Sequence, residues 1–191
     1  MHETVQEILA DLGIQPEYTN ATLQHLAAAD SRYLRDLKLN VKAVLQSEQL
    51  NAKETHLLAV AIAANNNKEL LINAFAAKAA GHGASAAEIA EAQACSSLLS
   101  ANNVLYRFRH FVEKEAYNTA PARLRMNIMM NPILGKEFFE LISLAVSAVN
   151  GCEMCVKSHE VSVLQAGSTE ARIWDAVRLS SIITSLGKII Y

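Results

Sequence analysis

The sequence predicts an all-α protein, and three observations carry that reading. Only seven glycines and three prolines punctuate 191 residues. The segments between them place apolar residues three and four apart, not in alternation, which is the helical period. Hydrophobic residues make up 51% of the chain, with no Pro/Ser/Gly-rich or single-sign stretch that would resist folding. A chain of this length buries a full core alone, so one domain over residues 1–191 is expected.

The predicted helices run in order over 3–12, 20–29, 31–47, 52–65, 67–80, 85–101, 103–117, 136–149, 152–166 and 169–187. The first, within MHETVQEILADLG, is amphipathic and polar at its start, unlike a signal peptide, and Gly13 stands where a terminating glycine is expected. Residues 1–30 read as a short helical extension. The run LLAVAIAA at 57–64 is apolar but far shorter than the ~20 residues of a spanning helix. Arg125 to Pro132 is the least regular stretch and is read as the link between two halves. Asn150-Gly151 breaks the next helix, so another begins near Cys152. Gly167 closes that one, and Ser168-Thr169-Glu170 supplies an N-cap and an early acid for the last.

The halves look related. VAIAAN at 60–65 resembles AVSAVN at 145–150, offset by 85, and Ile89-Ala90-Glu91-Ala92 resembles Ile173-Trp174-Asp175-Ala176, offset by 84. A pseudo-repeat over about 52–117 and 136–190 is the expectation, with Asn67 and Leu70 standing where the second half has Cys152 and Cys155.

Seventeen basic against nineteen acidic residues give a formal charge of −2, which points away from nucleic acid and from anionic membrane surfaces. Without an export signal or membrane anchor the expected location is cytoplasmic. Three cysteines in such a chain are too few for a disulfide scaffold, so the C-x-x-C pair indicates redox or metal chemistry.

Cys152 and Cys155 fall at a helix start, where unpaired N–H groups and the positive end of the macrodipole favour the nucleophilic thiolate. Cys152 and Cys155 are spaced i,i+3, and Cys155 and His159 i,i+4, so two sulfurs and a base share nearly one face. Glu140 lies about ten residues before the turn and His159 about eight after it. At 1.5 Å rise per residue their heights in an antiparallel hairpin differ by only ~3 Å. A carboxylate there would orient the imidazole and raise its basicity. One thiolate attacks a peroxide to give a sulfenic acid, and the other condenses with it to a disulfide that a dithiol must reduce. Cys155, one turn from His159, is the better candidate for attack and Cys152 for resolution, although Cys152 lies closer to the dipole. Zinc would accept the same donors, but three would come from one continuing helix and a second ligand knuckle is absent, so no metal is expected.

Cys95 lies on an apolar helical face and reads as a packing residue. His25, His56, His82 and His110 lack an obvious thiol or carboxylate partner. Arg107, Arg109, Arg123 and Arg125 suggest helix pairing or subunit contacts, and Met126, Met129 and Met130 core or interface filler.

The run FELISLAVSAVNGCEMCVKSHE at 139–160 resembles the active-site segment of the alkyl hydroperoxidase D family, within the carboxymuconolactone decarboxylase-like superfamily. RDLKLNV at 35–41, NNVLYR at 102–107 and RMNIMMNP at 125–132 are also similar to stretches of that family. The resemblance implies an all-α fold from a duplicated helical unit, a homotrimer, a Cys152–Cys155 redox disulfide with Cys155 peroxidatic, and a proton relay through Glu140 and His159. It implies no tightly bound cofactor, a dihydrolipoyl donor carried by a lipoylated acyltransferase, and a two-cysteine peroxiredoxin as a further partner. The activity implied is reduction of alkyl hydroperoxides and hydrogen peroxide. Met154 departs from the family, whose members often carry His between the two cysteines, so a second relay base is missing. Two alternatives stay open: a disulfide reductase or adaptor that regenerates a peroxiredoxin with little peroxidase activity of its own, and a zinc-binding or structural helical module.

Overall fold

The computed structural model describes residues 2–191, and among these there are ten α-helices and no strand. They are α1 (Glu3–Leu12), α2 (Ala21–Ala28), α3 (Arg32–Leu45), α4 (Ala52–Asn65), α5 (Glu69–Gly81), α6 (Ala86–Val112), α7 (Glu115–Thr119), α8 (Lys136–Val149), α9 (Glu153–Gln165) and α10 (Glu170–Leu186). The all-α expectation is met.

Two helices form the centre. In α4 every residue from Thr55 to Ala63 is buried, and in α8 every residue from Phe138 to Ser147. A helix apolar on all sides has to be enclosed by others. The hairpins α4–α5 and α8–α9 supply one flank each, and α6 and α10 pack across both central helices. The amphipathic α1 buries Val5, Ile8, Leu9 and Leu12 against α3 and α5, and stops at Gly13, whose φ of +74° suits glycine.

The two hairpin turns share one hydrogen-bond pattern. Asn66 N–H donates to Ile62 O and Lys68 N–H to Ala63 O, around Asn67 at φ +54°. Asn150 N–H donates to Val146 O and Cys152 N–H to Ser147 O, around Gly151 at φ +67°. By this pattern Lys68 corresponds to Cys152 and Leu71 to Cys155, one residue later than the Asn67 and Leu70 suggested by the offset of 85.

One element differs from its prediction. Residues 85–101 and 103–117 do not form two helices; α6 runs unbroken for 27 residues to Val112, and the short α7 follows. Asn102 and Asn103 resemble a break because such side chains compete with the helical backbone. Here their amides are used elsewhere: Asn102 Nδ2 donates to Met126 Sδ at 3.1 Å and Asn103 Nδ2 to Ser147 Oγ at 3.0 Å. The irregular link after α7 contains a single 3₁₀ turn, Asn127–Met129. It is tied back by the buried Glu91 of α6, whose carboxylate accepts from Ile133 N–H at 2.9 Å and Leu134 N–H at 2.7 Å.

Arg172 of α10 fastens α4 and α8 together, donating to Glu54 at 2.7 Å and Glu137 at 3.0 Å. No helix among the described residues is long and apolar enough to cross a membrane.

Candidate active site

The site sits at the turn between α8 and α9. Gly151 adopts φ +67° there with open space where a Cβ would be, so the position needs glycine for its backbone and not for clearance. The chain reverses and Cys152 becomes the N-cap of α9, with Cys155 on its first turn. The amides of that turn have no intrahelical acceptors, as predicted for a helix-start thiol pair.

Cys152 and Cys155 are joined by a disulfide. Cys152 is fully buried, while Cys155, at 6% exposed, reaches the surface of a cavity of about 330 Å³. His159 lines the same cavity one helical turn further on. The imidazole Nδ1 lies 2.7 Å from Glu140 Oε2, so the hairpin count that paired α8 with α9 places these two groups in contact. Their bond engages Nδ1 and leaves Nε2 as the nitrogen not held by Glu140.

Glu140 is 3% exposed and both of its oxygens are bonded, the second to Lys136 Nζ at 2.7 Å. Burial pushes its carboxyl up, but the hydrogen bonds from His159 and Lys136 outweigh it and hold the group below the usual carboxylate range. It is therefore an ionised buried acceptor at neutral pH.

The remaining cavity wall comes from Asn102 and Tyr106 of α6, Met126 and Met129 of the link, and Met154 and Ser158 of α9. Periodicity gives no hint of these, because the link has a single 3₁₀ turn as its regular structure and α6 contributes two positions, Asn102 and Tyr106. Met126 and Met129, expected as filler, face the cavity, whereas Met130 is 82% exposed. Asn102 Oδ1 is buried and has no partner among the described residues. The i,i+4 spacing of Lys136 and Glu140 was a readable signal, and sequence reasoning missed it.

Other candidates fall outside the site. Cys95 is buried against Ser143 Oγ at 3.4 Å, and burial pushes its thiol up to about 12, which suits packing and not nucleophilic chemistry. His110 does have a carboxylate partner, Glu153 at 3.4 Å on the surface. His56 is buried and stacks on His82, with ring centroids 5.1 Å apart. Arg107 Nη1 donates to Asn150 O at 2.5 Å, neutralising the carbonyl end of α8 beside the disulfide. Among the described residues no group of three or more His, Cys, Asp or Glu side chains has metal-site geometry.

The model of the carboxymuconolactone decarboxylase family matches residues 115–187, the segment that contains Glu140, Cys152, Cys155 and His159. A protein of Anaeromyxobacter dehalogenans (strain 2CP-C), named alkyl hydroperoxide reductase AhpD, is 44% identical over 163 residues, covering 85% of this chain and 87% of the relative. The chain belongs to the AhpD family. Members named in the same way from Rhodopseudomonas palustris (strain BisA53) and Azorhizobium caulinodans are each 41% identical, over 86% and 80% of this chain and 91% and 84% of theirs. In this AhpD-family chain, Met154 contributes a thioether to the cavity wall and is 38% exposed.

Proposed function

We propose that this protein is a thiol peroxidase that reduces alkyl hydroperoxides and hydrogen peroxide through Cys152 and Cys155. One observation carries the reading: Cys155 and His159 open onto a common cavity, with the His159 ring held by the buried Glu140 carboxylate and Cys152 bonded to Cys155 from the protein side. The names of the relatives agree with it.

In this reading His159 takes the Cys155 thiol proton, and Glu140 stabilises the imidazolium. The thiolate attacks the terminal oxygen of ROOH, the O–O bond breaks, and the leaving alkoxide takes that proton from His159. The products are Cys155–SOH and ROH. The Cys152 thiol then displaces water from the sulfenic acid to give the disulfide. A dithiol donor restores both thiols and is itself oxidised to a disulfide; the dihydrolipoyl group of a lipoylated acyltransferase fits that requirement, with no cofactor bound tightly. Cys155 is given the peroxidatic role because it lines the cavity, and Cys152 the resolving role because it is enclosed.

A second reading is favoured by Met154, which cannot carry a proton. The protein would then serve chiefly as a disulfide reductant for a two-cysteine peroxiredoxin, with slow peroxide turnover of its own. We further propose a cytoplasmic homotrimer. Exposed Val104, Phe108 and Phe111 at the end of α6, with Tyr117 of α7, offer an apolar surface for subunit contact.

The deciding experiment is an anaerobic thiol titration before and after one equivalent of an alkyl hydroperoxide. Loss of two thiols with Cys95 still free is expected, and no loss would overturn the peroxidase reading. Comparing peroxide-dependent turnover with lipoyl-dependent disulfide exchange separates the peroxidase from the adaptor.

A further inference from the structure

Glu140 is held at two corners. Oε2 meets His159 Nδ1 and Oε1 meets Lys136 Nζ, both at 2.7 Å. Lys136 makes a second contact: Nζ donates to the backbone carbonyl of Met129 at 3.1 Å. Met129 belongs to the link that forms one wall of the cavity, and His159 to the opposite helix. A single ammonium thus spans the relay carboxylate and the wall facing the thiol. Its side chain is 55% exposed, while the carboxylate it binds is enclosed.

We propose that Lys136 is a positioning residue of this site, fixing Glu140 for His159 while anchoring the Met129 wall of the cavity to the same point. This rests on the peroxidase reading for its kinetic consequences only. Two donors hold the carboxylate in one rotamer, so the imidazole is aimed by a carboxylate that cannot swing away when His159 changes protonation state. The second role follows from Met129: its link has no regular hydrogen-bond ladder, and Lys136 and Glu91 are two points that fasten it.

Electrostatics point the same way. Burial pushes the Glu140 carboxyl up, and the bonds from His159 and then Lys136 bring it below the usual range. The other titratable or charged groups around the pair are Cys155 of α9, Glu91, Cys95 and Tyr106 of α6, and Arg172 of α10, already bound to Glu137 and to Glu54 of α4. Lys136 is the cation bonded directly to the relay carboxylate.

The test is to titrate the Glu140 carboxyl by ¹³C NMR in the oxidised wild-type protein and in Lys136→Met and Lys136→Arg, assigning the resonance with Glu140→Gln. Loss of one partly screened cation at hydrogen-bond distance should raise the midpoint by about one pH unit in Lys136→Met. Lys136→Arg should restore it. In the reduced enzymes, the acid limb of kcat/KM for an alkyl hydroperoxide should move up in pH with the carboxyl. An unmoved Glu140 midpoint in Lys136→Met, or a shift that Lys136→Arg does not reverse, overturns the inference. A moved carboxyl with an unmoved acid limb overturns its part in the relay. Should the wild-type protein consume no peroxide, the peroxidase reading fails, while the carboxyl titration still decides whether Lys136 governs Glu140.

Discussion

His159 Nδ1 and Glu140 Oε2 lie 2.7 Å apart, across a hairpin that separates them by 19 residues of sequence. The contact fixes which ring nitrogen is available to the cavity, because the carboxylate holds the Nδ1 side. Replacing Glu140 by Gln keeps the shape and a hydrogen bond but removes the charge that stabilises an imidazolium. Peroxide consumption in Glu140→Gln should fall by about 10²-fold or more, within the usual range for general acid–base assistance. Stopped-flow measurement of peroxide loss in the reduced protein checks this, and wild-type rates in the variant would remove Glu140 from the mechanism.

The proposed roles of the two cysteines follow their difference in enclosure, and serine variants test them. Cys155→Ser should abolish peroxide consumption, since the thiol at the cavity wall is lost. Cys152→Ser should still react once and stop at a sulfenic acid, trappable with a dimedone-type reagent and visible by mass spectrometry. The reverse pattern would exchange the two assignments.

Much of this site was legible because a helical hairpin has so few free variables. Once Asn150-Gly151 is taken as the turn, rise per residue sets Glu140 level with His159, and helix phase brings Cys155 under the same ring. The opposite wall was not legible. Met126 and Met129 lie in a segment with no periodicity, whose path is set by tertiary bonds from Glu91 and Lys136. The helix boundary expected between residues 101 and 103 fails for a related reason. Paired asparagines look like a helix end until Met126 and Ser147 are known to take up their amides.

Glu140 also makes stability depend on pH. Its folded carboxyl lies below the ordinary 4.5, because the His159 and Lys136 bonds outweigh burial. Such a group contributes stability that is fully present above the unfolded value and is lost as pH falls through the folded one. Glu140→Gln removes the titration. The oxidised wild-type protein should therefore exceed this variant in urea-unfolding free energy at pH 7, by about 1.5–3 kcal/mol for charge-assisted bonds. The gap should close progressively below 4.5. A gap that widens as the solution is acidified contradicts the assignment.

A last prediction concerns the amide cluster behind the disulfide. Asn65 Nδ2 donates to Asn150 Oδ1 at 2.9 Å, and Asn150 Nδ2 donates both to Asn65 Oδ1 at 3.1 Å and to Asn103 Oδ1 at 2.9 Å. Asn150 therefore joins the ends of α4 and α8 to the middle of α6, one residue before Gly151 and two before Cys152. Removing it takes this donor from the buried Asn103 Oδ1 and from Asn65 Oδ1, which keeps a long bond from Ser100 Oγ at 3.4 Å, a loss of about 1–3 kcal/mol per unsatisfied group at most. Asn150→Ala should thus lose about 2–3 kcal/mol in urea unfolding. Asn65→Ala should lose less, since Asn150 then keeps its bond to Asn103. Because the two side chains bond each other reciprocally, the double variant should be less destabilised than the sum of the singles, by about 0.5–1.5 kcal/mol. Strict additivity would mean the pair is not energetically coupled. The turn carries Cys152, so Asn150→Ala should also slow the condensation of Cys155–SOH with Cys152. That would appear as a longer-lived sulfenic acid after a single addition of peroxide, whereas a destabilised core with an intact turn would leave its lifetime unchanged.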